Sequence, residues 1–345
     1  MTTRAAGSPA TLAEVAKAAG VHPSTASRAL NAHTRAKVSA GTAAQVMGAA
    51  RRLGYQPNSL ARGLRMSRTL TVGMLVPDIT NPLFPPIARG IEDRLRRNGL
   101  TLVLANTDND DDKERALFDA MVARRVDGLI LATARRQYPL LTEVADRGLP
   151  CVLVNRTTDD TAVPAVLGDD HAGIGQAVRH LVELGHRRIA HVGGTQTVST
   201  GVTRYSSFLS WMRQHGLEPD PRLVVIAEWF QEERGAEAFR KLFARGAGFT
   251  AVVCGNDLIA LGGYDVLRER GLTCPDDISI VGYNDTPFND KFSPALTSVR
   301  IPQYHIGYRV ADLLLEIMED SDYQLADLHL KPQLMVRGST APPRA

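Results

Sequence analysis

From Leu70 onward the chain repeats one pattern that leaves few folds open. Short runs rich in Val, Leu and Ile (LTVGMLV, LTLVLAN, DGLILAT, PCVLVN) alternate with helical segments ending at Gly99, around Arg125 and at Gly148. A run apolar on both faces must be covered on both faces, and intervening helices supply that cover, so the pattern predicts a parallel sheet between helical layers. The rhythm then restarts with AVLGDD, RRIAHVGG, RLVVIAE, TAVVCGND and ISIVGYND, separated by helical stretches around 171–184, 204–215, 232–244 and 258–270, with another at 306–318. Two successive α/β halves follow, and a ligand is expected beyond the carboxyl ends of their strands.

The segment before Leu70 has a different texture. Thr11 with Glu14 three residues later has the form of a capping box, Leu12, Val15, Ala16 and Ala19 recur at helical spacing, and Gly20 offers a left-handed helix stop. Pro23 suits the first turn of a second helix continuing through 25–30. Two short helices joined at a glycine make a helix-turn-helix, and a plain helical hairpin is the alternative. Charge decides between them. Up to Arg68 there are ten basic residues and one acid, Glu14, a net charge of +9. With 40 basic and 37 acidic residues in all, the remainder holds 30 against 36, a net of −6. A basic head on a mildly acidic body implies a polyanion partner for the head.

A third helix is predicted over 43–53, stopping at Gly54, with Leu12, Val15, Ala26, Leu30, Val46 and Leu53 as the small core. Pro57 fits the start of another short helix, SLARGLR, which contains Gly63 and should be marginal alone in water. Cys151, Cys254 and Cys274 show neither metal-ligand nor disulfide spacing, which points to the cytosol. No signal peptide is expected, and no window approaches the roughly 20 apolar residues of a membrane span. A GxxxxGK phosphate loop, a GxSxG elbow and an HExxH pair are all missing, and GIG at Gly173 is too incomplete for a dinucleotide fingerprint. His180, His186 and His191 are unevenly spaced and read as packing or surface residues. An enzyme, an exported solute-binding protein and a purely architectural DNA binder therefore fit less well than a regulated DNA binder.

The ordered segments TLAEVAKAAGV, STASRALN, LGYQPNSLARGLR, TVGMLVPDITNPLF, GHRRIAHVGG, CGNDLIALG and ISIVGYNDT resemble the lactose/galactose repressor (LacI/GalR) family of bacterial transcription regulators along nearly the whole chain. The resemblance implies an all-α helix-turn-helix head at 1–56 and a hinge helix and linker at 57–68. An α/β two-lobed body of the periplasmic sugar-binding protein type, with parallel sheets covered by helices, would fill 69–345. The first lobe would take about 69–164 plus 299–325, the second about 165–298 plus 326–345. It further implies a cytoplasmic homodimer on a double-stranded, pseudo-palindromic DNA operator, controlled by a small-molecule effector, a carbohydrate or its derivative, with no cofactor, metal or membrane partner.

By position, the resemblance makes Pro23, Ser24, Thr25, Ser27 and Arg28 the base-reading set. Arg28 has the guanidinium fork that binds guanine, with a phosphate clamp as the alternative. Thr11, Asn31, Tyr55 and Asn58 would touch the DNA backbone, although Tyr55 also suits the core. Leu64 would wedge into the minor groove, with Leu60, Ala61 and Arg65 completing the paired hinge helices, while docking on the body is the other use of Leu64. Between Asn31 and Val38 the chain is about two residues longer than the family spacing and carries Arg35 and Lys37. The effector set would be Asp78, Asn81, Phe84, Asn155, Arg156, Arg204, Phe230, Asn256 and Asn284. Amides, guanidines and aromatic faces suit a sugar's hydroxyls and flat faces, while helix capping is the alternative, above all for Asn256 and Asp78. Asn284 replaces the aspartate of many sugar-responsive relatives, and Arg156 with Arg204 leaves room for an anion.

Overall fold

The computed structural model describes residues 10–31, 34–55, 68–159, 163–320 and 326–344. The chain divides into two compact units, Met1–Thr69 and Leu70–Ala345. In the first, Thr11 caps α1 (Leu12–Ala18) and Gly20 takes φ +62° just beyond it, as a helix stop requires. The α2 helix (Pro23–Leu30) starts on its proline, and α3 (Ala40–Arg52) stops before Gly54 at φ +63°. The third helix starts three residues earlier than its periodicity predicts, because the Ser39 hydroxyl accepts the Thr42 N–H at 3.3 Å and fixes the first turn there. Seven alanines and two valines form the buried centre, with Leu12, Leu30, Leu53 and Tyr55 packed at its margin. Alanine lets three short helices approach closely, leaving the larger side chains to seal the rim.

The body has two lobes. The first contains β1 (Thr71–Val76), α4 (Phe84–Arg97), β2 (Thr101–Asn106), α5 (Asp111–Ala123), β3 (Gly128–Leu131), α6 (Leu140–Asp146), β4 (Cys151–Val154) and β5 (Ala165–Gly168). The second contains α7 (Asp170–Glu183), β6 (Ile189–Gly193), α8 (Ser199–Gln214), β7 (Val224–Ile226), α9 (Glu232–Ala244), β8 (Ala251–Cys254), α10 (Asp257–Glu269), β9 (Ser279–Asn284) and β10 (Thr297–Arg300). The chain returns through α11 (Gln303–Glu319) and β11 (Leu328–Leu330) to the first lobe, then through β12 (Gln333–Met335) to the second. The sheet orders are β11-β5-β4-β3-β1-β2 and β12-β10-β9-β8-β6-β7. All pairings are parallel except β10 with β12. Each order reverses beside its first strand, between β1 and β3 and between β6 and β8, where doubly wound sheets open a crevice.

Hydrogen bonding shifts the expected crossovers. Ala165–Gly168 pairs with β4, and Leu328–Leu330 pairs with β5, so both belong to the first sheet, whereas Thr297–Arg300 joins the second. The lobes therefore exchange chain near 169, 301 and 331 rather than at 165, 299 and 326. Strand composition is the same in both lobes, so only pairing could place these boundaries. One aliphatic cluster runs between the inner helices α4 and α11 of the first lobe and α7 and α8 of the second, and separate clusters lie under α5 and α6 and under α9 and α10.

Candidate functional site

Two surfaces carry the sequence-derived candidates. On the head, α2 turns Ala26 and Ala29 inward, which leaves Pro23, Ser24 and Arg28 exposed and Thr25 and Ser27 half-buried. Ser24 and Arg28 are four residues apart and share one helix face. The helix begins with a cap that sequence reasoning missed: His22 Nδ1 accepts the Ser24 N–H at 3.3 Å and lies 2.8 Å from the Ser24 hydroxyl. A polar residue immediately before a first-turn proline is the signal that would have found it. Thr11 is exposed and closes its capping box, its N–H donating to Glu14 Oε2 at 2.7 Å and its hydroxyl accepting the Glu14 N–H at 3.3 Å.

The longer loop closes onto the end of α2. The Thr34 hydroxyl donates to Arg28 O at 3.1 Å and Arg35 Nε to Ala29 O at 3.0 Å, which satisfies carbonyls of the last turn. Arg35 thus acts on the helix C-terminus, while Lys37 stays exposed. Tyr55 packs against the small core and donates its N–H to Ala50 O at 2.9 Å, and Asn31 is half-buried at the end of α2. Lys17, Arg28, Arg51 and Arg52 are all exposed. Asn58, Leu60, Ala61, Leu64 and Arg65 lie outside the described residues.

In the body the lobes meet at the carboxyl ends of their strands, where the Arg136 N–H donates to Thr197 O at 3.0 Å and the Thr157 N–H to Ser199 Oγ at 2.9 Å. Around this line Asn155, Arg156, Arg204, Asn256 and Asn284 are all buried. Asn155 and Asn284 hold φ of +65° and +103°, left-handed turns that swing the chain off the strand ends, and asparagine is among the side chains that tolerate them. Asn155 lines a cavity of about 170 Å³ with Thr157, Asp169, Asp170, Ser199 and Thr203, at the carboxyl ends of β4 and β5. That volume is a subsite rather than a complete pocket.

Other candidates serve the scaffold. Asn256 caps α10, its Oδ1 accepting the Ile259 N–H at 2.9 Å while its Nδ2 donates to Phe230 O at 3.2 Å. Asp78 Oδ1 accepts from the Thr80 N–H at 2.8 Å and hydroxyl at 2.6 Å, and Asn81 Oδ1 accepts the Leu83 N–H at 3.1 Å, so both shape the loop after β1. Phe84, expected to face a ligand, is buried at 2% exposure in the first-lobe core, because α4 begins on it and turns it beneath the helix. Phe230 is half-buried and fills the space beside Gly194.

Arg204 and Arg156 use the same chemistry differently. Arg204 lies over the Tyr283 ring with its guanidinium carbon 3.9 Å from the centroid, donates from Nη1 to Gly255 O at 2.8 Å, and brings Nε within 3.1 Å of Asp170 Oδ1. The Nε–H is not aimed at that carboxylate, so the contact is an ion pair without a hydrogen bond. Arg156 is 7% exposed, its Nε has no hydrogen-bond partner, and no carboxylate among the described residues lies within ion-pair distance. Burial, reinforced by the nearby Arg135 and Arg204 charges, pushes its pKa down to about 10. On its first-lobe side, the Tyr138 hydroxyl donates to Glu114 and burial raises the Glu114 pKa. Asn284 Oδ1 and the Tyr283 hydroxyl are likewise buried without partners. Buried polar groups are rarely left unpaired, so these atoms, near the carboxyl ends of strands in both lobes, are candidates to meet a polar ligand. Sequence reasoning does not pick out Tyr283 or Asp170, although Asp170 ends the GDD run directly after a strand, where the strand-end rule applies.

Among the described residues, no helix is long and apolar enough to cross a membrane, and no cluster of three or more His, Cys, Asp or Glu side chains could hold a metal ion.

Comparison with known proteins places both surfaces in one family. Residues 69–331 match the model described as periplasmic binding proteins and sugar binding domain of LacI family, and residues 11–58 match bacterial regulatory proteins, lacI family. The HTH-type transcriptional repressor PurR of Pasteurella multocida is 33% identical, over 96% of this chain and 98% of that protein. Catabolite control protein A of Priestia megaterium is 32% identical over 96% and 99%. Among solved structures, the Lac repressor dimer bound to operator and the anti-inducer ONPF superposes with a TM-score of 0.83 at 26% identity, covering 97% of this chain and 100% of that one. The CelR–cellobiose complex gives 0.74 at 32% identity, covering 96% and 99%. These named relatives are transcriptional regulators, not enzymes.

Proposed function

This chain belongs to the LacI family of bacterial regulatory proteins, as a transcriptional repressor with a helix-turn-helix head and a ligand-binding body, and on that premise we propose that it binds a pseudo-palindromic operator as a homodimer under the control of a sugar or sugar derivative in its cleft. One observation supports the pairing of the two activities: an exposed arginine on a helix of the basic head and unpartnered buried polar atoms at strand ends of the body occur in the same chain. Arg28, Ser24 and Pro23 read base edges, with Thr25 and Ser27 beside them, while Thr11, Asn31, Tyr55 and Asn58 position the head on phosphates. Leu60, Ala61, Leu64 and Arg65 form the conditional minor-groove element, folding on DNA that supplies the surface a marginal helix lacks. Arg156, Arg204, Asn155 and Asn284 bind the effector, and the bound effector selects the lobe arrangement that permits or forbids this folding.

The test is genomic footprinting with and without sugars, followed by binding measurements on the recovered site. Leu64→Ala should weaken binding to that site far more than binding to unrelated DNA. Equal losses on both would end the hinge assignment.

A further inference from the structure

We propose that the effector carries an oxyanion, a carboxylate or a phosphate, and that this group pairs with the guanidinium of Arg156. The proposal rests on the cleft being the effector site and narrows the class of molecule that enters it.

The body gives its other deeply buried charged groups either an ion pair or hydrogen bonds. Asp285 is held by Arg300 and Arg337, each at 2.7 Å. Arg204 has Asp170, and Asp257 accepts from the Ser298 hydroxyl and from both the N–H and hydroxyl of Thr286. Arg156 departs from this rule. It is as buried as these groups, but among the described residues it has no ion pair and its Nε has no hydrogen-bond partner. A buried ion without a counter-charge is strongly disfavoured, and arginine keeps its proton rather than escaping by neutralisation.

The charges facing Arg156 leave the deficit in place. Arg135 is bound to Asp111 and donates to Asn109 O, so its own charge is answered elsewhere. Glu114 favours the charged form of Arg156 from a distance, but its carboxylate receives the Tyr138 hydroxyl and stays outside ion-pair range. Arg135 and Arg204 both add positive potential. A hydroxyl can accept from a guanidinium but cannot neutralise it, whereas a carboxylate or phosphate does both through two parallel bonds. At the carboxyl end of β9, Asn284 presents a buried amide oxygen without a donor, which suits a ligand hydroxyl. The amide also spares an anion the repulsion a carboxylate there would exert. Together the two sites describe a polyhydroxylated acid or a phosphorylated sugar.

The test compares the full-length protein with Arg156→Gln and Arg156→Met by thermal unfolding at matched ionic strength in chloride, inorganic phosphate, D-gluconate, D-glucose 6-phosphate and D-glucose. In chloride both variants should unfold at or above the wild-type midpoint, since an uncompensated buried charge has gone. At least one oxyanion should raise the wild-type midpoint by about 2–4 °C while leaving both variants unmoved, which separates site binding from general salt stabilisation. Gluconate acting alone identifies a carboxylate, and the phosphate compounds acting alone identify a phosphate. The proposal is overturned if both variants unfold well below wild type, if every oxyanion shifts all three proteins equally or none shifts wild type, or if glucose matches the best oxyanion. Salt-dependent DNA binding by the same preparations tests the regulator assignment separately and should survive any of these outcomes.

Discussion

Head and body handle polar groups in opposite ways. The head's core is alanine and valine, and the cations among its described residues, Arg28 included, remain in water. The body buries Arg156, Arg204, Asp170, Asp257 and Asp285 among large aliphatic clusters, and among the described residues only Arg156 of these has neither an ion pair nor a hydrogen bond to its charged group. An exposed cation costs little in the free protein and acts through release of counterions, which makes it responsive to salt. A buried cation is screened very little, so it demands a specific partner in a fixed geometry. One region is organised to meet a large polyanion outside, the other to enclose a small molecule.

If this contrast is right, salt should separate the two regions most strongly. Raising salt from 50 to 200 mM should weaken DNA binding about 10³-fold or more if six or more phosphates are contacted, a slope read by fluorescence anisotropy. Effector affinity measured calorimetrically over the same range should change much less, and parallel losses would erase the distinction. Packing gives the next largest effect. A Cβ on Gly307 of α11 would lie 1.9 Å from Ile87 O of α4, so Gly307→Ala should destabilise the body by about 3 kcal/mol, seen in its urea transition. The head's helical signal should retain its own transition.

Acid should also act on the body through its buried titratable groups. Burial lowers the His191 pKa from 6.5 to about 4. Below pH 6.5 the unfolded chain therefore binds a proton that the folded chain refuses, so stability falls as pH drops from 6.5 towards 4. Burial raises the Asp257 pKa from 3.8 to about 6, so the folded chain takes up a proton first and gains stability over nearly the same window. Each effect is worth roughly 3 kcal/mol at full extent, and they oppose. His191→Phe should remove the first, so that urea midpoints fall less than those of wild type, or rise, as pH drops from 7 to 5, with His180 and His186, whose pKa values burial also lowers, still opposing. A variant with the same acid profile as wild type would show that His191 is not the group responsible.

On the head, Arg28→Ala should cost about 1–3 kcal/mol of specific affinity with a smaller change on unrelated DNA, measured by competition. Equal losses on both would make Arg28 a phosphate clamp. Smallest of all, Asn256→Ala should lower body stability by about 1 kcal/mol through the lost cap of α10, with effector affinity nearly unchanged. A large loss of affinity would move Asn256 from scaffold to ligand contact.

Much of this architecture was legible because local chemistry determines it. Thr11 with Glu14, Gly20, Pro23 and Gly54 place the helix ends through backbone hydrogen bonding and dihedral preference, which depend on a few neighbouring residues. The strand–helix rhythm fixed the α/β class because a strand apolar on both faces has few ways to be covered. The small tail strands Leu328–Leu330 and Gln333–Met335 carried no such signal, since three residues are too short for a period. Their pairing, Leu328–Leu330 in the first sheet and Gln333–Met335 in the second, sets where the chain crosses. The candidate list at the strand ends was legible in outline, but Phe84, Asn256 and Arg156 look alike as choices until their surroundings are known.

The sequence alone determined a basic helical head, two α/β halves and polar residues at the ends of their strands, because charge, capping and hydrophobic period are properties of short stretches. Tertiary structure decided which of those residues spend their hydrogen bonds on the protein. Asn256 spends both ends of its amide on the scaffold, Phe84 disappears into the core, and Arg156 keeps a buried Nε with no partner and no carboxylate in ion-pair range among the described residues. Whether a polar atom is satisfied depends on atoms tens of residues away in sequence, and those meet it only when the sheets are assembled.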